Sequence, residues 1–131
     1  MYAYAAANEK QYDEYWEDGY WDNNTNEFVS KITKPKELAY WRKHPNLHGW
    51  FEEEWRSQGN TGDFNGAQLE IDWAMLERLE YDIREGNLPA TSGFFFGDNA
   101  DEYYYNQDLE FIKNARAELF LGLRVFYNSS W

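Results

Sequence analysis

Tyr40-Trp41-Arg42-Lys43-His44-Pro45-Asn46-Leu47-His48-Gly49-Trp50-Phe51 gathers two bases, both histidines of the chain and several large aromatics into twelve residues. How this stretch is read decides the fold. Leu38, Trp41, His48, Phe51 and Trp55 fall at helical spacing and can share one face. That spacing predicts a first helix beginning near Pro35, with Glu37 complementing its positive end. Pro45 falls inside the pattern. It removes a backbone donor and crowds the preceding turn, so a kink is expected at about 44–46. The helix should end by Gly59.

Working outward, Gln58 to Gly66 reads as a loop. Gln68-Leu69-Glu70-Ile71 alternates and reads as a short strand. Asp72 is placed to cap a second helix with Trp73, Leu76, Leu79 and Ile83 on its apolar stripe, and Gly86 to stop it. A third helix is expected over roughly 100–122, capped by Asp98 or Asn99. Its periodic positions are Leu109, Ile112, Ala115 or Arg116, Leu119 and Leu123, and Gly122 marks its end. Leu123 to Tyr127 reads as a final strand able to pair with Gln68–Ile71. In residues 1–30, Tyr12, Tyr15, Trp16, Tyr20, Trp21 and Phe28 alternate with acids and turn residues. An arm wrapping the domain, a short hairpin or a dimer contact would each cover those rings. The expectation is an α+β fold, mainly helical, with about three main helices, a short two-stranded sheet and an aromatic-rich N-terminal arm. Residues 1–131 form one domain, with 1–30 as arm and 31–131 as core.

The charge pattern bounds the function. Net charge is −12, which argues against general nucleic-acid binding because phosphate contacts dominate that affinity. Yet Lys31, Lys34, Lys36, Arg42 and Lys43 cluster between positions 31 and 44, opposed only by Glu37. A small anion held locally is therefore permitted, and so is docking of the acidic surface on a basic protein. There is no cysteine, so disulfides and thiolate metal sites are excluded. No apolar run approaches membrane-spanning length, and the first residues lack a basic n-region, so a soluble intracellular protein is expected.

Candidate ligand residues follow from the same stretch. Arg42, Lys43 and His44 can form an anion subsite, with Trp41 or Trp50 stacking on a planar ligand and Gly49 permitting close approach. Alternatively Arg42 bridges to Glu53, Asp98, Asp101 or Glu102 without any ligand. His44 and His48 are four apart, but a metal needs further ligands and Pro45 disturbs their turn, so no metal or cofactor is assigned. Both histidines are counted among the candidate ligand-binding residues; the structural alternative puts His48 half-buried on a hydrogen bond and His44 near solvent. Phe94, Phe95 and Phe96 between two glycines cannot all face one core, so at least one ring is expected toward a cleft or partner. The loop lacks the Walker lysine and Ser/Thr and is no phosphate loop. Of Tyr103, Tyr104 and Tyr105, one or two are expected to line a cleft, with Tyr103 and Tyr105 the candidates. No nucleophile elbow or HExxH motif occurs, and no catalytic residue is assigned.

The order Tyr40-Trp41-Arg42-Lys43, Leu47-His48-Gly49-Trp50-Phe51, Leu88-Pro89-x-Thr91-x-Gly93-Phe94-Phe95-Phe96-Gly97 and Asp101-Glu102-Tyr103 resembles a widespread family of small bacteriophage proteins. The tail Val125-Phe126-Tyr127-Asn128-Ser129-Ser130-Trp131 is similar to the ending of its marine cyanophage members. The resemblance spans roughly 38–131 and departs at Pro45, where members commonly continue the helix. It implies a viral origin and a soluble accessory protein in the cytoplasm of the infected bacterial host, and it implies no activity. The expected function is non-catalytic binding. In one version a small anionic, nucleotide-like ligand is sequestered from host defence. In another the acidic, aromatic surface, with Tyr12, Tyr15, Trp16, Tyr20 and Trp21 suited to a hot-spot patch, binds and modulates a host or phage protein. A third alternative is a small metabolic or nucleotide-processing enzyme. Self-association into a homodimer or higher oligomer is expected to cover exposed rings.

Overall fold

Tyr2-Ala3-Tyr4-Ala5-Ala6 forms the first strand, β1 (Tyr2–Ala6), and the computed structural model, which describes residues 1–90 and 100–130, places it inside a sheet. The alanines let both faces of this strand pack tightly, and four of its five residues are buried. Then follow α1 (Gln11–Asp18), β2 (Tyr20–Asp22), β3 (Glu27–Val29), β4 (Lys36–Tyr40) and α2 (Pro45–Ser57). The order continues with β5 (Leu69–Ile71), α3 (Trp73–Arg84), α4 (Ala100–Phe120) and β6 (Arg124–Asn128). The main sheet is antiparallel in the order β4-β1-β6-β5, and β2 and β3 form a separate hairpin.

The α+β class stands, with three corrections. Among the described residues there are four helices and a four-stranded sheet besides the hairpin. Residues 1–30 are not an arm: they supply an interior strand, a helix and the hairpin. The predicted first helix does not start near Pro35, because Lys36–Tyr40 is edge strand β4. Pro45 neither kinks nor breaks a helix. It opens α2, in the first turn, where the missing N–H has no intrahelical partner to lose.

Other expectations hold. Asp72 accepts from the Met75 amide at 2.8 Å and caps α3. Gly86 follows that helix with φ +70°, the left-handed conformation that stops helices at low cost in glycine. The final strand pairs with β5 through Leu69–Tyr127, Glu70–Phe126 and Ile71–Val125. The cap expected from Asp98 or Asn99 lies outside the described residues. Trp73, expected on the buried stripe of α3, is exposed instead, with the Arg116 guanidinium 5.7 Å from its ring centroid.

Two apolar clusters flank the sheet. The larger joins Ala3, Trp41, Leu47, Phe51, Leu76, Leu79, Phe111, Ile112 and Tyr127, uniting one sheet face with α2, α3 and α4. The smaller unites Tyr4, Ala6 and Phe126, with Tyr2 and Tyr12 packed on it, so α1 covers the opposite face. Tyr4 and Tyr12 stack there at 4.7 Å between centroids. The hairpin docks on α1 by Phe28, whose ring lies 4.8 Å from Trp16 and 5.2 Å from Tyr15. Its turn uses local polar chemistry: the Asn24 amide donates to Asp22 Oδ1 at 2.9 Å, and Asn26 takes φ +58°, which asparagine tolerates.

Candidate functional site

The Trp41–Phe51 stretch turns inward far more than its composition suggests. β4 delivers Trp41 to the core with no exposed surface, and its indole Nε1–H donates to Asp108 Oδ1 at 2.8 Å. Trp50, on the first turns of α2, is also buried and donates to Asp82 Oδ2 at 2.8 Å. With their indoles buried, Trp41 and Trp50 offer no face on which a ligand can stack. This corrects their expected role as stacking platforms.

His44 is likewise corrected from near-solvent to fully buried. Its Nε2 lies 2.7 Å from Asp108 Oδ2, and its ring stacks on Tyr104 at 4.8 Å. One carboxylate of α4 thus anchors both the strand end and the start of α2. Asp108 is driven toward its neutral form mainly by burial, and the hydrogen bonds from His44 and Trp41 oppose that push. His44 Nδ1 and Asp101 Oδ1 face each other at 3.8 Å, and both are buried without a hydrogen-bond partner.

His48 fits the structural alternative. It is half-buried, with Nδ1 2.6 Å from the Tyr127 hydroxyl. Burial lowers the imidazole pKa to about 4, and burial holds the Tyr127 phenol well above the usual tyrosine range. A protonated phenol donating to a neutral imidazole satisfies both groups. The two histidines therefore serve different contacts, and among the described residues no group of three His, Asp or Glu side chains is arranged to hold a metal ion.

What remains accessible of the predicted set is narrower. Arg42 is exposed, and among the described residues none of its expected acids forms an ion pair with it. Lys43 is half-buried, its amide donating to the Tyr104 hydroxyl at 3.4 Å. Tyr103 is exposed, and Tyr105 is half-buried. Phe94, Phe95 and Phe96 lie outside the described residues.

Tyr105 does line a cleft, of about 510 Å³, between the end of α3 and the start of α4. Its walls include Ile83 and Leu88, and its charged groups are Arg84, Glu85, Asp101, Glu102 and Asp108. Arg84 is already held by Glu80 on its own helix at 3.0 Å. Carboxylates dominate the cleft, so it is poorly suited to an anion. The raised carboxylate Asp108 lies against His44, and both are closed off from solvent. Asp108 reaches the cleft only at its edge, with 1% of its surface exposed, and His44 lies behind it.

The strongest exposed feature lies where a short hairpin was one expectation and an acidic, aromatic patch another. Around the hairpin Trp16, Tyr20 and Trp21 keep 47%, 61% and 55% of their surface exposed. Tyr15 is buried beneath them and Tyr12 half-buried, so the patch is an aromatic surface on an aromatic foundation. Residues 7–30 carry seven acids (Glu9, Asp13, Glu14, Glu17, Asp18, Asp22, Glu27) against Lys10, a net −6 out of the chain's −12.

Among the described residues no helix is long and apolar enough to cross a membrane. Comparison of the chain with protein-family models, with curated proteins and with solved structures finds no match.

Proposed function

We propose that this protein is a non-catalytic binding protein whose acidic, aromatic N-terminal face docks on a basic surface of another protein. In the setting its motifs resemble, it is a phage accessory protein in the cytoplasm of an infected bacterium, and the partner is a host or phage protein. One observation carries this reading: Trp16, Tyr20 and Trp21 stand exposed on a segment that holds half of the net charge. Large aromatics are the residue type that most often anchors interfaces, and a ring of acids steers a basic partner toward them.

The reading is favoured over sequestration of a ligand between Trp41 and Trp50, because those rings are committed to the core. It is favoured over catalysis because His44 is fully buried and Asp108 is held by His44 and Trp41, with 1% of its surface exposed.

The test is co-purification from infected cells with wild type and with Trp16→Ala/Trp21→Ala, each at low and raised salt. The expected result is a basic protein retained by wild type, lost with the double variant and weakened by salt. Equal retention by the double variant, or no partner at all, would overturn the reading.

A further inference from the structure

A second surface has the opposite sign. Lys31, Lys34 and Lys36 line a groove of about 610 Å³ between the end of β1 and the segment leading into β4. Ala5 to Ala7, Ile32 and Leu123 give it apolar walls, and Glu14 is the one carboxylate among its lining residues. Volumes of roughly this size hold small organic ligands.

Two of the groove's three lysines, unlike most of the chain's arginines, take part in no ion pair among the described residues. Arg56, Arg78, Arg84, Arg116 and Arg124 each form an ion pair with a glutamate. Lys36 pairs with the buried Glu118 and so belongs to the structure. Lys31 and Lys34 are exposed, and neither takes part in an ion pair among the described residues. Two uncompensated ammonium groups thus face one concavity in a protein that is otherwise strongly acidic.

The segment that carries them is held in place. The Lys31 amide donates to Asp18 Oδ2 at 2.7 Å, and the Ser30 hydroxyl donates to the same oxygen at 3.2 Å. Gln11 Nε2 donates to the Thr33 carbonyl at 2.7 Å while its Oε1 accepts from the Ala7 amide at 2.7 Å. One glutamine side chain therefore ties together the two walls of the groove. A site whose backbone is fixed beforehand loses less entropy when a ligand arrives.

We infer that this groove binds a small phosphorylated organic molecule, with Lys31 and Lys34 on the phosphate and the apolar walls against its organic body. An ammonium pairs with phosphate as a compact charge, and the alanines, Ile32 and Leu123 offer contact to a sugar or ring rather than further hydrogen bonds. The groove shares Glu14 with the acidic face, but Trp16, Tyr20 and Trp21 do not line it, so either proposal can fail without the other.

The test is an amide chemical-shift titration of the full chain with adenosine 5′-monophosphate, glucose 6-phosphate, adenosine and malonate, each to about 10 mM, a range that reports millimolar affinities. Lys31→Ala/Lys34→Ala is titrated beside wild type, with Lys113→Ala, which removes one positive charge on α4, as a control away from the groove. These are exposed positions, where substitutions shift stability by about 0.5 kcal/mol or less, so the variants remain folded. The expected result is saturable shifts at residues 5–7 and 31–36 with one or both phosphates and none with adenosine. Affinity should fall about tenfold or more in the double variant and be unchanged in Lys113→Ala. Absence of shifts with both phosphates, equal affinity in the double variant, or malonate binding as tightly as the phosphates would each overturn the assignment.

Discussion

His44 Nε2 and Asp108 Oδ2 lie 2.7 Å apart, across 64 residues of sequence, and neither side chain meets solvent. The other oxygen of the same carboxylate accepts from Trp41. Removing Asp108 therefore strands two buried donors at once. Asp108→Ala should cost about 3 kcal/mol or more. Asp108→Asn keeps an acceptor for Trp41 and an amide for the other imidazole tautomer, and should cost less than half as much. Denaturant unfolding of the two variants, with unchanged slopes, checks the order.

His48 gives stability a pH dependence of definite sign. Its folded pKa is lowered to about 4 by burial, against 6.5 in the unfolded chain. The unfolded state therefore binds more protons between those values, so this contribution is complete above 6.5 and is lost as pH falls toward 4. The fall from 6.5 to about 4 sets a ceiling of about 3.5 kcal/mol, and solvent screening of this half-buried ring keeps its contribution below that. Glu52 opposes the shift. His48→Gln, which lacks the titrating proton, should flatten the stability profile across this window, and equally steep profiles for variant and wild type would contradict the assignment.

Gly19 is required by space. A Cβ built there would lie 2.1 Å from Phe28 Cζ and 3.0 Å from the Tyr15 carbonyl oxygen. The hairpin is seated on α1 through that same phenylalanine. Gly19→Ala should cost about 1–3 kcal/mol, the usual range for overpacking. The loss should be local, with faster amide exchange in residues 20–29 than in β1 or β6. Uniform loosening of the whole sheet would contradict this.

Asp72→Ala removes the acceptor for the Met75 amide at the start of α3. A loss of about 1 kcal/mol is expected, with Asp72→Asn close to wild type. Thermal unfolding separates the two, and equal losses would point to the charge rather than the cap.

The sequence was legible where local chemistry decides the outcome. Asp72, Gly86, Leu69–Ile71 and the final strand all announce themselves within a few residues. Leu38 and Trp41 misled because their spacing fits a helical stripe as well as the end of a strand. Pro45 was then read as a fault inside a helix, although proline is at home in a first turn. Tyr2–Ala6 was missed because alanine has low strand propensity, and only its two-sided burial explains the choice. At the candidate sites, His48 was read as a ligand residue with a half-buried, hydrogen-bonded imidazole as the alternative, and its contact with Tyr127 matches the alternative. The buried assembly of Trp41, His44 and Asp108 had no spacing signature, because α4 supplies the acid from far along the chain. The hairpin was one of three alternatives for its segment, and of the aromatic patch expected there Trp16, Tyr20 and Trp21 are exposed while Tyr15 is buried and Tyr12 half-buried. The lysine groove depends on β1, which was not recognised as a strand.

The placement of β1 also sets the order of events in folding. Its partner β6 begins at Arg124, so the pairing of Ala6 with Arg124 and Tyr2 with Asn128 closes almost the whole chain into one loop. Closure on that scale must be completed before the centre of the sheet gains its stabilisation, and such distant pairing slows folding. Until β6 pairs with it, Tyr2–Ala6 has β4 as its one partner in the sheet. The aromatic rings of α1 that later cover its outer face are made early and lie close by, so they can shelter this strand during the wait.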